Sequence, residues 1–294
     1  MSLTLHGAMT ALVTPFRDGA VDHDRLRQNI EFQIEHGIDG LVPVGTTGES
    51  PTLSHEEHDA VIDTTVQQAA GRVPVIAGTG SNSTAEALRL TKHAKQVGAD
   101  AALMVNPYYN KPSQEGLYRH FMTVADAVDL PIVLYNIPGR TNITMSPDTA
   151  VRLGEHPNVV AIKEATGSLD IASEIAGACD LTILSGDDSM TLPLMSIGGR
   201  GVISVLSNLM PDRVTALTNA ALADDFPAAR EHHLSLFAIC KGLLTLDTNP
   251  IPIKMAMQLT GTDTGELRLP LVPMDNAKRG QLAALLDQHQ LIAS

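Results

Sequence analysis

The chain is predicted to fold as a closed (β/α)8 TIM barrel, an α/β fold, with a C-terminal all-helical extension. Three features of the sequence predict this. Eight short apolar runs are each bounded by turn residues, amphipathic stretches with helix-start signals lie between them, and strand signals stop beyond Asp224 while helical periodicity continues. Runs that are apolar throughout, rather than alternating, are how strands buried on both faces of a parallel sheet read. Eight strand and helix alternations in the first two-thirds of 294 residues match the size of such a barrel. The expected division is a barrel over residues 1–224 and a helical domain over 225–294.

The elements follow in order. Gly7–Val13 is the first strand; after Asp22, Leu26, Ile30 and Ile34 lie on one helix face, and Gly37 ends that helix. Gly40–Val44 is the second strand, and Ser54-x-x-Glu57 has the form of a capping box for the helix after it. Val73–Ala77 is the third, followed by Ser83-x-x-Glu86, a second box of that form. Ala101–Val105 and Ile132–Tyr135 are the fourth and fifth, and Ser146-Pro147 sets a cap before proline at the first helical position. Val159–Ile162, Leu181–Leu184 and Gly201–Val205 complete the eight. Three helical stretches then remain: Phe226–Gly242, Pro250–Gly261 and Asp275–Leu291. The competing architecture is a doubly wound sheet with a dinucleotide fingerprint. Gly78-Thr-Gly80-Ser-Asn-Ser83 lacks the third glycine of that fingerprint, and Gly198-Gly-Arg-Gly201 precedes a strand instead of following one.

Composition narrows the function classes. With 44% hydrophobic and 18% charged residues the chain is ordinary globular protein. A net charge of -13, with Lys and Arg scattered, argues against nucleic acid and anionic membrane surfaces as partners. No apolar run approaches the length of a membrane span, the N-terminus has no signal-peptide pattern, and Cys179 and Cys240 fit no metal or redox spacing. The expected setting is a reducing cytoplasm.

In a barrel, chemistry sits at the C-terminal ends of the strands. The sixth strand ends in Lys163, at the mouth of an apolar layer, where desolvation lowers an ammonium pKa from about 10.4 toward neutrality. A neutral lysine is a nucleophile that forms Schiff bases with carbonyl compounds. A strand-end lysine that simply snorkels to water is an equal reading of this residue alone. The fifth strand brings Tyr135, a proton relay or a core aromatic, and Arg140, whose guanidinium can hold a carboxylate bidentately. Gly45-Thr-Thr-Gly-Glu49 after the second strand is a tight turn able to form an anion nest, and the fourth leads into Tyr108-Tyr109. A nucleophile, a relay, a clamp and an anion turn on four strand ends point to one site. His55-Glu-Glu-His58 invites a zinc reading, but it is not His-Glu-x-x-His and no third ligand is indicated; a solvated first turn is favoured.

With these residues, the chain resembles the dihydrodipicolinate synthase family of pyruvate-dependent class I aldolases and lyases. The likeness runs from Gly7-Ala-Met-Thr-Ala-Leu-Val-Thr-Pro15 to Leu269-Pro-Leu-Val-Pro273. It includes Gly45-Thr-Thr-Gly-Glu49, Pro107-Tyr-Tyr-Asn-Lys-Pro112, Tyr135-Asn-Ile-Pro-Gly-Arg-Thr141, Ile162-Lys-Glu-Ala165 and Ser185-Gly-Asp-Asp188. The resemblance implies a carbon–oxygen lyase of lysine and diaminopimelate biosynthesis. In it Lys163 forms a Schiff base with pyruvate, the enamine attacks L-aspartate 4-semialdehyde, and the product cyclises. It implies a proton-relay triad of Tyr135, Thr46 and Tyr109, the last reaching in from a neighbouring subunit. It implies that Thr46 and Thr47 bind the pyruvate carboxylate, that Arg140 clamps the aldehyde substrate's carboxylate, and that Gly186 and Ile203 line the pyruvate pocket through their backbone. It further implies a homotetramer built from tight dimers, no metal or organic cofactor, and an allosteric L-lysine pocket of Ser50, His55, His58, Asn82, Glu86 and Tyr108. Pro51 stands in that pocket where a small residue such as Ala is expected. Sugar-acid lyases and aldolases, such as an N-acetylneuraminate lyase, keep the lysine and tyrosine but usually lack the Arg140 and Tyr108-Tyr109 patterns. A barrel that only senses lysine or pyruvate is the non-enzymatic alternative.

Overall fold

The computed structural model describes residues 3–292. Eight parallel strands form on the eight expected runs: β1 (Gly7–Ala11), β2 (Gly40–Val42), β3 (Ile76–Gly78), β4 (Ala101–Val105), β5 (Ile132–Asn136), β6 (Val159–Glu164), β7 (Thr182–Ser185) and β8 (Gly201–Ser204). Their order is β2-β1-β8-β7-β6-β5-β4-β3, and a bridge between Leu41 and Val75 closes the ring. Around it lie α1 (His23–Glu35), α2 (His55–Ala69), α3 (Thr84–Val97), α4 (Gln114–Ala127), α5 (Pro147–Gly154), α6 (Leu169–Ala178), α7 (Thr191–Met195) and α8 (Pro211–Leu222).

Side chains alternate across each strand, so one set fills the barrel and the other meets the helices. The interior holds Met9, Val42, Ile76, Leu103, Val133, Ala161, Leu184 and Ile203. The outward set, with Leu41, Met104, Leu134 and Ile162, packs against the inner faces of the helices. This parity places Lys163 in line with Ala161, and Tyr135 in line with Val133. The register sets Val105 opposite Tyr135, Tyr135 opposite Lys163 and Lys163 opposite Leu184, which brings the strand ends level at one mouth.

Helix starts form largely as the sequence indicates. Ser54 and Glu57 make the full capping box on α2, and Ser146 caps α5 ahead of Pro147. The expected box at Ser83 is only half formed. Ser83 accepts from the Glu86 backbone N–H, but the Glu86 carboxylate turns away to His55 and Ser81 and leaves the Ser83 N–H to the Ser81 hydroxyl. A tertiary partner for a carboxylate outweighs a local return bond worth about 1 kcal/mol.

Three C-terminal helices follow: α9 (Phe226–Thr245), α10 (Ile251–Leu259) and α11 (Asn276–Gln288). Leu236, Ile239 and Leu243 of α9, Ile253 and Met257 of α10, and Leu282 and Leu286 of α11 join the same hydrophobic cluster as the barrel helices. Among the described residues no helix is long and apolar enough to cross a membrane.

Candidate active site

Lys163 ends an apolar layer and is 6% exposed. Burial pushes its pKa down to about 7; the buried Asp188 carboxylate works against that fall and the Arg140 charge adds to it. The ammonium lies 4.3 Å from the centroid of the Tyr135 ring. Burial drives the Tyr135 phenol up to about 12, opposed by the Arg140 charge and by the neighbouring Thr46 hydroxyl. At neutral pH the pair is therefore an amine available as a nucleophile beside a phenol that keeps its proton to give.

The Gly45–Glu49 turn lies across the mouth. The backbone N–H groups of Gly48 and Ser50 fold back onto the Gly45 carbonyl and that of Glu49 onto the Thr46 carbonyl, so these three donors are spent within the turn itself. Val44 just before the turn has φ +48, and Glu49 at its end has φ +53. A β-branched residue in the left-handed region is strained, and such strain gathers where a site must be held against its local preference. What holds it is a buried ion pair. Glu49 Oε1 meets Lys254 Nζ at 2.7 Å, with neither side chain exposed, and that ammonium also donates to the Thr14 carbonyl and rests on the Phe16 ring.

A cavity at this mouth is lined by Thr46, Thr47, Tyr135, Arg140, Lys163, Gly186 and Asn249. Gly186 is there for space: a Cβ on it would sit 2.7 Å from the Ala165 Cβ and 3.1 Å from Lys163 Cε. Ile203, expected beside it, belongs to the barrel-interior cluster that also holds Leu184 and Tyr135 and is not part of this wall. A second cavity, of about 240 Å³, shares Thr46, Tyr135 and Arg140 and extends to Ser50, Pro51 and Tyr108.

Tyr109 stands apart. It has φ +73, is 90% exposed and lines neither cavity. Of the residues expected in an effector pocket, Ser50 and Tyr108 line the larger cavity, while Glu86 bonds His55 Nε2 at 2.7 Å. The bond from Ser81 and that from His55 hold the Glu86 carboxyl below its ordinary pKa. Asn82 offers its carbonyl to Asn110. His58 is buried, its pKa driven down to about 4 by desolvation, near Asp59 at 3.9 Å, with neither ring nitrogen hydrogen-bonded. His55 and His58 therefore do not converge, and among the described residues no group of three metal-ligating side chains does.

Three further residues shape the site, none of them given a role by the sequence. Asn249 reaches the site from the loop before α10; Asp188 accepts from Ser204 and from the Val205 and Leu206 backbone, close enough to Lys163 to act on its charge; and Lys254 anchors Glu49. Lys254 had a visible signal, a single charge inside the apolar run Ile251-Pro-Ile-Lys-Met-Ala-Met257. Nothing local marks Asn249.

Residues 4–289 match the model of the dihydrodipicolinate synthetase family. A 4-hydroxy-tetrahydrodipicolinate synthase from Citrifermentans bemidjiense is 54% identical over 288 residues, covering 97% of this chain and 99% of its own. The solved chloride-inhibited dihydrodipicolinate synthase from Acinetobacter baumannii, complexed with pyruvate, is 45% identical with a TM-score of 0.96, covering 98% of this chain and 100% of its own. The enzyme from Cyanidioschyzon merolae, solved with lysine bound, is 40% identical with a TM-score of 0.94, covering 98% of this chain and 99% of its own.

Proposed function

This chain belongs to the dihydrodipicolinate synthetase family, and from that membership we propose that its barrel mouth performs the 4-hydroxy-tetrahydrodipicolinate synthase reaction, the condensation of pyruvate with L-aspartate 4-semialdehyde. One observation carries the assignment of roles: Lys163 is a buried amine with a pKa of about 7, beside a protonated phenol and under a turn of two threonines. The neutral Lys163 Nζ attacks the pyruvate ketone, and the carbonyl oxygen leaves as water to give the Schiff base. Loss of a methyl proton yields the enamine, whose carbon adds to the aldehyde. The substrate's amino group then closes the ring onto the former ketone carbon and releases Lys163. Tyr135 and Thr46 carry the protons of these steps, with Tyr109 of a neighbouring subunit as the third relay member. Thr46 and Thr47 bind the pyruvate carboxylate beside the backbone of Gly186, and Arg140 takes the carboxylate of the aldehyde substrate.

The 90% exposure of Tyr109 on a left-handed loop is what a residue serving another protomer's site would have, and we read the assembly as a dimer of tight dimers. L-lysine is the effector in this reading. Its ammonium pairs with Glu86, an anion already held below its ordinary pKa, in the pocket of Ser50, His55, His58, Asn82 and Tyr108. Two unpaired cysteines suit a cytoplasmic setting.

Pyruvate followed by borohydride should leave a reduced adduct on Lys163, and pyruvate with L-aspartate 4-semialdehyde should turn over in a coupled reduction of the product. An adduct on another lysine would overturn the nucleophile. Trapping at Lys163 without condensation, together with sialic-acid cleavage, would move the chain to the sugar-acid lyases.

A further inference from the structure

One residue from outside the barrel touches both halves of the carboxylate machinery. Asn249, in the loop that leads into α10, is 8% exposed and shares a cavity wall with Lys163, Thr47 and Arg140. Its side-chain Nδ2 donates to Thr47 Oγ1 at 3.0 Å, while its backbone carbonyl accepts from Arg140 Nη2 at 2.9 Å. Its Oδ1 is buried and has no partner. An orphaned buried acceptor costs about 1–3 kcal/mol, so an asparagine here is a poor choice for stability alone.

The direction of the bond to Thr47 carries the argument. A hydroxyl has one proton and two lone pairs. With a lone pair engaged by a fixed N–H donor, the Thr47 O–H is turned away from Asn249 and is left to donate to whatever anion enters the cavity. We propose that Asn249 is a positioning residue for carboxylate recognition. Its side chain aims the Thr47 proton at the carboxylate of the 2-oxo acid, and its carbonyl sets Arg140 for the carboxylate of the second substrate. The inference rests on the Schiff-base reading of Lys163. It also gives the C-terminal helical part a place in the chemistry, because the loop before α10 delivers the residue.

The test uses the first substrate alone. The rate of borohydride trapping at Lys163 is followed against pyruvate concentration for the wild type, Asn249→Ala, Asn249→Asp, Thr47→Val and the doubles with Thr47→Val. Asn249→Ala should raise the half-saturating pyruvate concentration about tenfold, the loss of one well-placed bond to a charged group, with a limiting rate within about twofold of wild type. Asn249→Asp, nearly isosteric and able only to accept, should draw the Thr47 proton onto itself and raise it further. Neither should add to Thr47→Val. In full turnover the KM for the semialdehyde should stay within about twofold, because the backbone carbonyl that holds Arg140 survives every side-chain change. Unchanged pyruvate dependence in both Asn249 variants, additivity with Thr47→Val, or a fall confined to the limiting rate would each overturn the proposal. Failure of the wild type to trap pyruvate at Lys163 would remove the underlying reading as well, and that control separates the two failures.

Discussion

Replacing Lys163 by methionine should abolish the pyruvate adduct and make the protein more stable. The lysine is 6% exposed, and its pKa falls from an ordinary 10.5 to about 7 because burial penalises the ammonium. Such a fall corresponds to about 5 kcal/mol of native-state cost at pH values where both the folded and the unfolded lysine are protonated. Because the folded pKa lies below the unfolded one, unfolding takes up a proton between pH about 7 and 10.5. Raising the pH through that window therefore stabilises the wild type, whereas Lys163→Met has no such group to relieve. The stability gap in favour of the methionine variant should be about 4 kcal/mol at pH 7 and about 2 kcal/mol at pH 9. Met fills a similar volume, so its packing contribution is the same at both values and leaves their difference intact. Urea unfolding at pH 7 and pH 9, at one protein concentration so that assembly contributes equally, reads the gap directly. A gap equal at the two pH values, or a methionine variant less stable than wild type at pH 7, would refute the claim that burial depresses Lys163.

Four further outcomes follow from the same geometry. Gly186→Ala brings a methyl to within 3.1 Å of Lys163 Cε and should slow borohydride trapping by at least about tenfold while the fold melts within a few degrees of wild type. Arg140→Ala should raise the KM for L-aspartate 4-semialdehyde on the order of 100-fold and pyruvate trapping far less, since a charge-assisted bidentate contact is lost from one substrate only; equal losses would argue against the clamp. Glu86→Ala should shift inhibition by L-lysine to at least about tenfold higher concentration, and a wild-type rate indifferent to millimolar L-lysine would show that the pocket is not regulatory. Lys254→Met leaves the Glu49 carboxylate buried without its ammonium and should cost about 3–5 kcal/mol in urea unfolding, whereas the Lys254→Met, Glu49→Gln double variant should recover part of it.

The barrel was legible because its signals are local. An apolar run of five residues between turn residues, such as Ala101–Val105, reads as a strand wherever it occurs, and Ser54 with Glu57 or Ser146 with Pro147 marks a helix start without help from the rest of the chain. Lys163, Tyr135, Thr46 and Arg140 were legible for a related reason. Strand ends in a closed barrel share one mouth, so position along each strand already assigns a residue to the site. Glu86 shows the limit of that logic. Its spacing from Ser83 fits a capping box, yet the carboxylate goes to His55 and Ser81, which are brought to it from α2 and the preceding loop.

By itself, then, the sequence determined the eight strands, the helical C-terminal part and the strand-end placement of Lys163 and Tyr135, because these follow from periodicity of two and of 3.6 and from capping chemistry within a few residues. The tertiary structure decided what holds that mouth in shape. Lys254 lies 205 positions from Glu49, and Asn249 lies 202 from Thr47. No pattern of neighbours encodes such pairs. They exist because the C-terminal part packs onto the barrel, and burial there makes an unmatched charge costly enough that Lys254 and Glu49 stay paired.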